Sequence, residues 1–237
     1  MMNTKSQIMC VWSGVAFFML FFIACWPLAQ FIPPPSPTLT STEILERYQD
    51  NINMIRLAMP LGIISAIFFI PWSAVIAVQL AAIEGRRPVW AITVVAAGVC
   101  NTIAFLLPFV FWAPGVYRLE RDPELIFLFS DFAWLEFVMF FPQFTLMAIA
   151  IAVAGLMDKR DRPFFPRWIC FLNLWVGLLV APGGLAIFFK SGPFAWNGIL
   201  AFWTPVVVFT IYFSCMVPIM LQGIYREAKD SSIQHES

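Results

Sequence analysis

The sequence predicts an all-α fold, a polytopic membrane helical bundle of six transmembrane helices with both termini cytoplasmic. Three observations carry that prediction. Of 237 residues, 61% are hydrophobic and 12% charged, against roughly 45–50% and about 25% in globular domains. Mean hydropathy is +0.82, so the chain cannot cover itself with polar surface in water. The apolar residues gather into six runs, each long enough for the roughly 20 residues that a helix needs to cross a bilayer. The basic residues gather in alternate turns: nine of the 14 Lys and Arg fall on the predicted inner side with six acids, and five fall with eight acids outside. A positive excess marks cytoplasmic loops. The length leaves room for a single transmembrane domain, 1–237, with no soluble domain beside it.

The first span is expected at about 8–32, after Lys5. A basic start and an apolar core also describe a signal peptide, but Phe22 fits a cleavage box poorly and the run continues through Trp26, which reads as an uncleaved helix. Pro33, Pro34, Pro35 and Pro37 cannot be helical and predict a stiff, extended exit. Thr40 and Glu43 form a capping-box signature ahead of Ile44, Tyr48, Ile52 and Ile55, which predicts an amphipathic helix over about 41–52 lying on the outer membrane surface.

The second span, about 53–83, ends at Glu84-Gly85-Arg86-Arg87-Pro88, a cytoplasmic turn that starts the third span at about 88–113. Arg118 and Arg121 in the next loop are offset by Glu120, Asp122 and Glu124. The fourth span, about 130–157, enters with Asp131 and Glu136 and stops on Lys159, Arg160 and Arg162. Asp131 reads as an interfacial or helix-start carboxylate. The fifth span covers about 163–189, the outer turn holds Lys190, and the sixth covers about 194–225 before Arg226 and Lys229. The two inner turns both combine an acid, basic residues and a proline, a faint sign of duplication.

Lipid supplies no hydrophobic drive between helices, so small residues at helical spacing mark close contacts. Asn173, Gly177, Ala181 and Gly184 make one such stripe and Ala148, Ala152 and Gly155 another, predicting that the fourth and fifth spans pack tightly. Prolines fall within nearly every span, at 27, 60, 71, 108, 142, 182, 205 and 218. Each frees a carbonyl, and kinked helices can leave a cavity between them.

Candidate ligand contacts follow from depth. Ser73, Asn101, Gln143, Asn173 and Ser214 all lie roughly 15–22 Å from the inner ends of their spans at 1.5 Å per residue, a polar band near mid-bilayer. Amides in lipid must find partners, either between helices or on a ligand. Glu136 shares a face with Gln143 and stands at the outer boundary, placing it at the rim of an outward-facing cavity. Trp72 and Trp175 are near mid-depth and could flank a flat apolar molecule, whereas the remaining tryptophans fall mostly near span ends, as in an aromatic belt.

Other chemistry has no support. The five cysteines sit in apolar runs without CxxC spacing, and the single histidine, His235, is close to the end. No nucleophile and base pair, phosphate loop or zinc motif occurs. No catalytic residue, metal or cofactor is therefore expected, and nucleic acid is not an expected partner.

Phe165-Pro166-Arg167-Trp168, Asn173-Leu174-Trp175 and Gly192-Pro193-Phe194-Ala195-Trp196-Asn197-Gly198 resemble a pattern of uncharacterised bacterial six-helix integral membrane proteins. The resemblance implies a multi-pass protein of the bacterial inner membrane and transfers no activity or site residues. The expected function is binding or translocation of a small apolar or amphipathic molecule. Membrane lipid surrounds the protein, and a homo-oligomer or partner subunit is compatible. The alternative is an accessory or assembly subunit of a larger membrane complex, whose small-residue stripes would face outward.

Overall fold

The computed structural model describes residues 4–236, with side chains through Asp230; the single histidine, His235, and the counted acid Glu236 fall outside the described side chains. Among the described residues every regular element is a helix and there is no strand. Six helical stretches are long and apolar enough to cross a membrane: Thr4–Leu28, Ile52–Glu84, Val89–Tyr117, Pro123–Leu156, Arg167–Phe188 and Ile199–Asp230. They alternate in direction, which gives the bundle two chemically distinct ends. The basic end joins the start of the first stretch, the turns after Glu84 and Leu156, and Arg226. There the Gln79 side chain donates to Gln7 at 2.7 Å and Arg226 donates to the Pro163 carbonyl at 3.0 Å. The acidic end holds residues 29–51, 118–122 and 189–198. Between the ends, Ile64, Ile92, Ile103 and Leu178 are 54%, 64%, 45% and 61% exposed, an apolar girdle that water would not support.

The α-helices are α1 (Thr4–Ile23), α2 (Ser41–Asp50), α3 (Ile52–Ile67), α4 (Phe69–Glu84), α5 (Val89–Tyr117), α6 (Pro123–Met139), α7 (Pro142–Leu156), α8 (Arg167–Leu179) and α9 (Thr204–Glu236). Irregular turns sit where prolines remove donors. A π-helical turn, Ala24–Leu28, encloses Pro27, and a second, Ile199–Trp203, precedes Pro205. Phe140 and Phe141 separate α6 from Pro142 at the start of α7, and α8 tightens into a 3-10 segment, Ala181–Phe188, around Pro182. Pro60, Pro108 and Pro218 instead lie within continuous helices.

Boundaries differ from expectation for local reasons. The first stretch ends at Leu28, because the amides of Ala29, Gln30 and Phe31 fold back onto the carbonyls of Ala24, Trp26 and Cys25. The fourth begins at Pro123, with the Asp122 side chain accepting from the Glu124 amide. Asp131 is consequently two turns inside α6, not at a helix start.

In the basic half the helices are joined by small residues, as the stripes predict. At Gly177 a Cβ would lie 3.4 Å from Ala148 Cβ, and the Thr145 hydroxyl donates to the Gly177 carbonyl at 2.8 Å. A Cβ at Gly155 would sit 2.7 Å from Cys170 Sγ. The two basic-end turns also share a device. The Glu84 carboxylate accepts from the amides of Trp90 and Ala91 at 2.9 and 2.8 Å. The Asp158 carboxylate accepts from the Phe164 amide at 2.9 Å and from the Arg160 guanidinium at 2.7 Å. Burial pushes the Asp158 carboxyl up, but hydrogen bonds from Arg160 and from the Phe164 amide outweigh it and hold the group below the usual carboxylate range.

At the acidic end, residues 29–51 form a cover. The capping box of α2 is complete, with the Thr40 hydroxyl accepting from the Glu43 amide and Glu43 accepting from the Thr40 amide. The apolar face of α2 buries Ile44 and Tyr48, each 2% exposed, within the protein. The Tyr48 phenol donates to Ser130 at 3.0 Å and Ser41 donates to Glu124 at 2.6 Å, fastening α2 to α6. Burial pushes the Tyr48 phenol up to about 12, so it remains a donor at neutral pH. The proline segment is likewise a tied strap and not a free rod. Arg47 donates to the carbonyls of Gln30 and Pro33, and Trp196 Nε1 donates to the Pro35 carbonyl at 2.9 Å.

Candidate functional site

A cavity of about 140 Å³ lies in the acidic half of the bundle. Twelve of the chain's 26 phenylalanines line it, with Trp112 and Trp134. Its position follows from the interruptions. Cys25 comes from the first π-helical turn, Ala201 and Phe202 from the second, Phe140 and Phe141 from the α6–α7 break, and Val180 from the residue before the 3-10 segment. Four helices thus depart from regular geometry around one space, and π-helical turns recur at functional sites.

The cavity has a closed and a covered end. Near mid-bundle, the tilted rings of Phe17 and Phe105 meet with centroids 4.7 Å apart, those of Phe144 and Phe209 with centroids 4.6 Å apart, and Asn101 supplies an amide. Toward the acidic end, Phe31 of the cover meets Trp112 at 4.4 Å, and Trp112 meets Trp134 at 5.1 Å. The helices α1 and α9 touch through Phe17, Phe18 and Phe213. Beyond that contact Phe22 and Cys25 of the first stretch and Pro205, Val206 and Thr210 of α9 line the cavity, and Thr210 is exposed. No charged side chain lines the space, and Asn101 and Thr210 are its only side-chain amide and hydroxyl.

Of the residues singled out from the sequence, Asn101 lines the cavity; it is 1% exposed and its Nδ2 lies 3.7 Å from Met147 Sδ. The other polar candidates of the mid-depth band do not converge with it, because local partners take them up. Gln143 donates to the Phe140 carbonyl exposed by the helix break. Ser73 donates to the Phe69 carbonyl at 2.8 Å. Asn173 donates to the Ile169 carbonyl at 2.9 Å and approaches Met216 Sδ at 3.6 Å, leaving its Oδ1 without a partner. Ser214 is exposed on the outer surface. Trp72 is fully buried against Tyr212 and Phe213, and Trp175 is 60% exposed, so neither flanks the cavity. Glu136 is not among the lining residues: the next residue, Phe137, faces the cavity, while both Glu136 oxygens are buried with no hydrogen-bond partner among the described residues.

The residues missed from the sequence are the phenylalanines. The signal was present in the paired i, i+4 spacing of Phe17, Phe18, Phe21 and Phe22, whose rings pair along α1, Phe17 and Phe21 tilted with centroids at 5.6 Å and Phe18 and Phe22 stacked at 6.3 Å. The resemblance motif has a mechanical role: its Trp196 holds the strap, and Gly198 packs directly on the carbonyls of Gly192 and Pro193 where a side chain would not fit. No family model, curated protein or solved structure matches this chain.

Proposed function

We propose that this chain is a multi-pass protein of the bacterial inner membrane, with its basic end and both termini in the cytoplasm, and that it binds or moves a small apolar or amphipathic molecule in the aromatic cavity. The observation that carries this reading is the convergence of four interrupted helices on one uncharged space. Irregular backbone at membrane depth is tolerated where it borders a cavity, and apolar pockets with few polar groups are typical ligand sites. Asn101 supplies the polar contact at the closed end. The small-residue stripes are used in internal contacts at Gly177 and Gly155, which favours this reading over an accessory subunit.

Native mass spectrometry of protein released from mild detergent tests it. A reproducible bound molecule is expected in the wild type and lost when Val206→Trp fills the cavity. A wild type released bare, which also takes up no small aromatic in a titration, overturns the reading; a co-released partner chain points to the accessory role.

A further inference from the structure

One accessible hydrogen-bonding atom of the cavity wall has no partner. Asn101 is 1% exposed, and its Nδ2 is turned to Met147 Sδ at 3.7 Å. No donor among the described residues reaches its Oδ1, and that oxygen is not walled in as the partnerless Oδ1 of Asn173 is. The other polar side chains of the lining are engaged or shut away. The Thr210 hydroxyl donates to the Val206 carbonyl on its own helix at 2.8 Å. The indole Nε1 atoms of Trp112 and Trp134 have no acceptor, yet both are sealed within the wall at the covered end. An amide oxygen kept from water is costly until a donor meets it. A charged occupant would find no counter-charge, since no charged side chain lines the space.

The walls near Asn101 are rings in mixed orientation. Phe17 and Phe105 are inclined at 50°, Phe144 and Phe209 at 56°, and Phe105 meets Phe209 edge to face at 6.1 Å. Faces and edges are both presented, which is the setting a further ring prefers. The volume of about 140 Å³ is close to that of a dry apolar cavity of about 150 Å³ that takes up benzene. It is well short of the roughly 300 Å³ or more of a drug-sized site. Resting on the function proposed above, we infer that the occupant is a single uncharged aromatic ring bearing one hydrogen-bond donor, the phenol class. Its hydroxyl donates to Asn101 Oδ1 and its ring packs among the phenylalanines.

Fluorine NMR of the purified protein in mild detergent, read against protein-free micelles, tests this with four probes. They are para-fluorophenol; para-fluoroanisole, in which the donor is methylated; fluorobenzene; and hydroxy-fluorobiphenyl, which keeps the donor and adds a ring. The phenol is expected to give a saturable bound signal with a Kd about tenfold tighter than that of the anisole or fluorobenzene, the effect of one hydrogen bond. Asn101→Leu should erase this preference while fluorobenzene still binds, which certifies the fold, and Val206→Trp should remove every bound signal. Equal binding of the phenol and fluorobenzene to the wild type overturns the donor assignment and leaves the proposed function standing. The biphenyl binding as tightly as the phenol overturns the one-ring limit with the same consequence. A preference that persists in folded Asn101→Leu, or a bound signal that persists in Val206→Trp, overturns the site. If no probe binds while native mass spectrometry still releases a bound molecule, the inference falls and the proposed function stands. No bound probe and a bare protein overturn both.

Discussion

The two halves of the bundle are made from similar residues and packed by opposite rules. In the basic half, helices run unbroken past one another through Gly177, Ala148 and Gly155, and Trp72 is enclosed completely. In the acidic half, every stretch that borders the cavity except α5 is interrupted, large aromatic rings replace small residues, and a separate cover of residues 29–51 is needed. Small residues let backbones approach closely and exclude space; proline breaks surrounded by rings hold backbones apart and keep space. The difference between a closed core and a receptive one is therefore set by where the chain is interrupted, since apolar content is high throughout.

Adding volume to each half tests that contrast most severely. Gly155→Leu drives a side chain into Cys170 and Phe165 and is expected to cost about 3 kcal/mol, the upper range for overpacking. The loss would appear as a large drop in thermal midpoint in detergent; an unchanged midpoint would break the picture of a closed half. A second test acts on the basic-end turns. Asp158→Asn is expected to cost about 2 kcal/mol at neutral pH, since hydrogen bonds to a charged group are lost. The Asp158 carboxyl is held below its usual range, so its stabilisation is complete above the ordinary carboxylate value of about 4 and is lost as pH falls through the depressed folded value. Acid melting curves of wild type and Asp158→Asn should converge there, and parallel curves would refute the assignment.

The cover is expected to respond less. Tyr48→Phe removes the bond to Ser130 and should cost about 1 kcal/mol. It should also raise protease cleavage within residues 29–51 without changing the basic half, as limited proteolysis would show. The smallest effect has the opposite sign. Val206→Phe adds volume to existing space and should raise stability by about 1 kcal/mol. A destabilisation as large as that of Gly155→Leu would mean that the acidic half is as tightly packed as the basic half.

Much of the architecture was legible in the sequence, because a run of apolar residues ending in Arg86 and Arg87, or in Lys159 and Arg160, states its own length and limits. The contact of α7 with α8 was legible for a similar reason: Gly177 and Ala148 are small at helical spacing, and spacing is local information. The site was legible only in part. Proline positions told where helices would break, yet nothing local told that Pro27, Pro142, Pro182 and Pro205 would gather around one space while Pro60, Pro108 and Pro218 would not. Polar residues were weighted as ligand contacts because they are costly in lipid, but Ser73, Gln143 and Asn173 find partners within their own helix or one helix away. The phenylalanines were passed over, since a ring facing lipid and a ring facing a cavity are identical in sequence.

The bond from Trp196 to the Pro35 carbonyl joins residues 161 positions apart, and this sets an order of events during synthesis. Chains emerge from the ribosome N-terminal part first, so the strap is made early and must wait for its clasp. Until the last stretch arrives with Phe202 and Phe209, the rings of the first stretch border an open furrow instead of a slot. A chain halted after the fifth stretch would therefore lack the enclosed cavity, and Trp72 would be left without Tyr212 and Phe213. The enclosed aromatic cavity is the last feature the growing chain acquires.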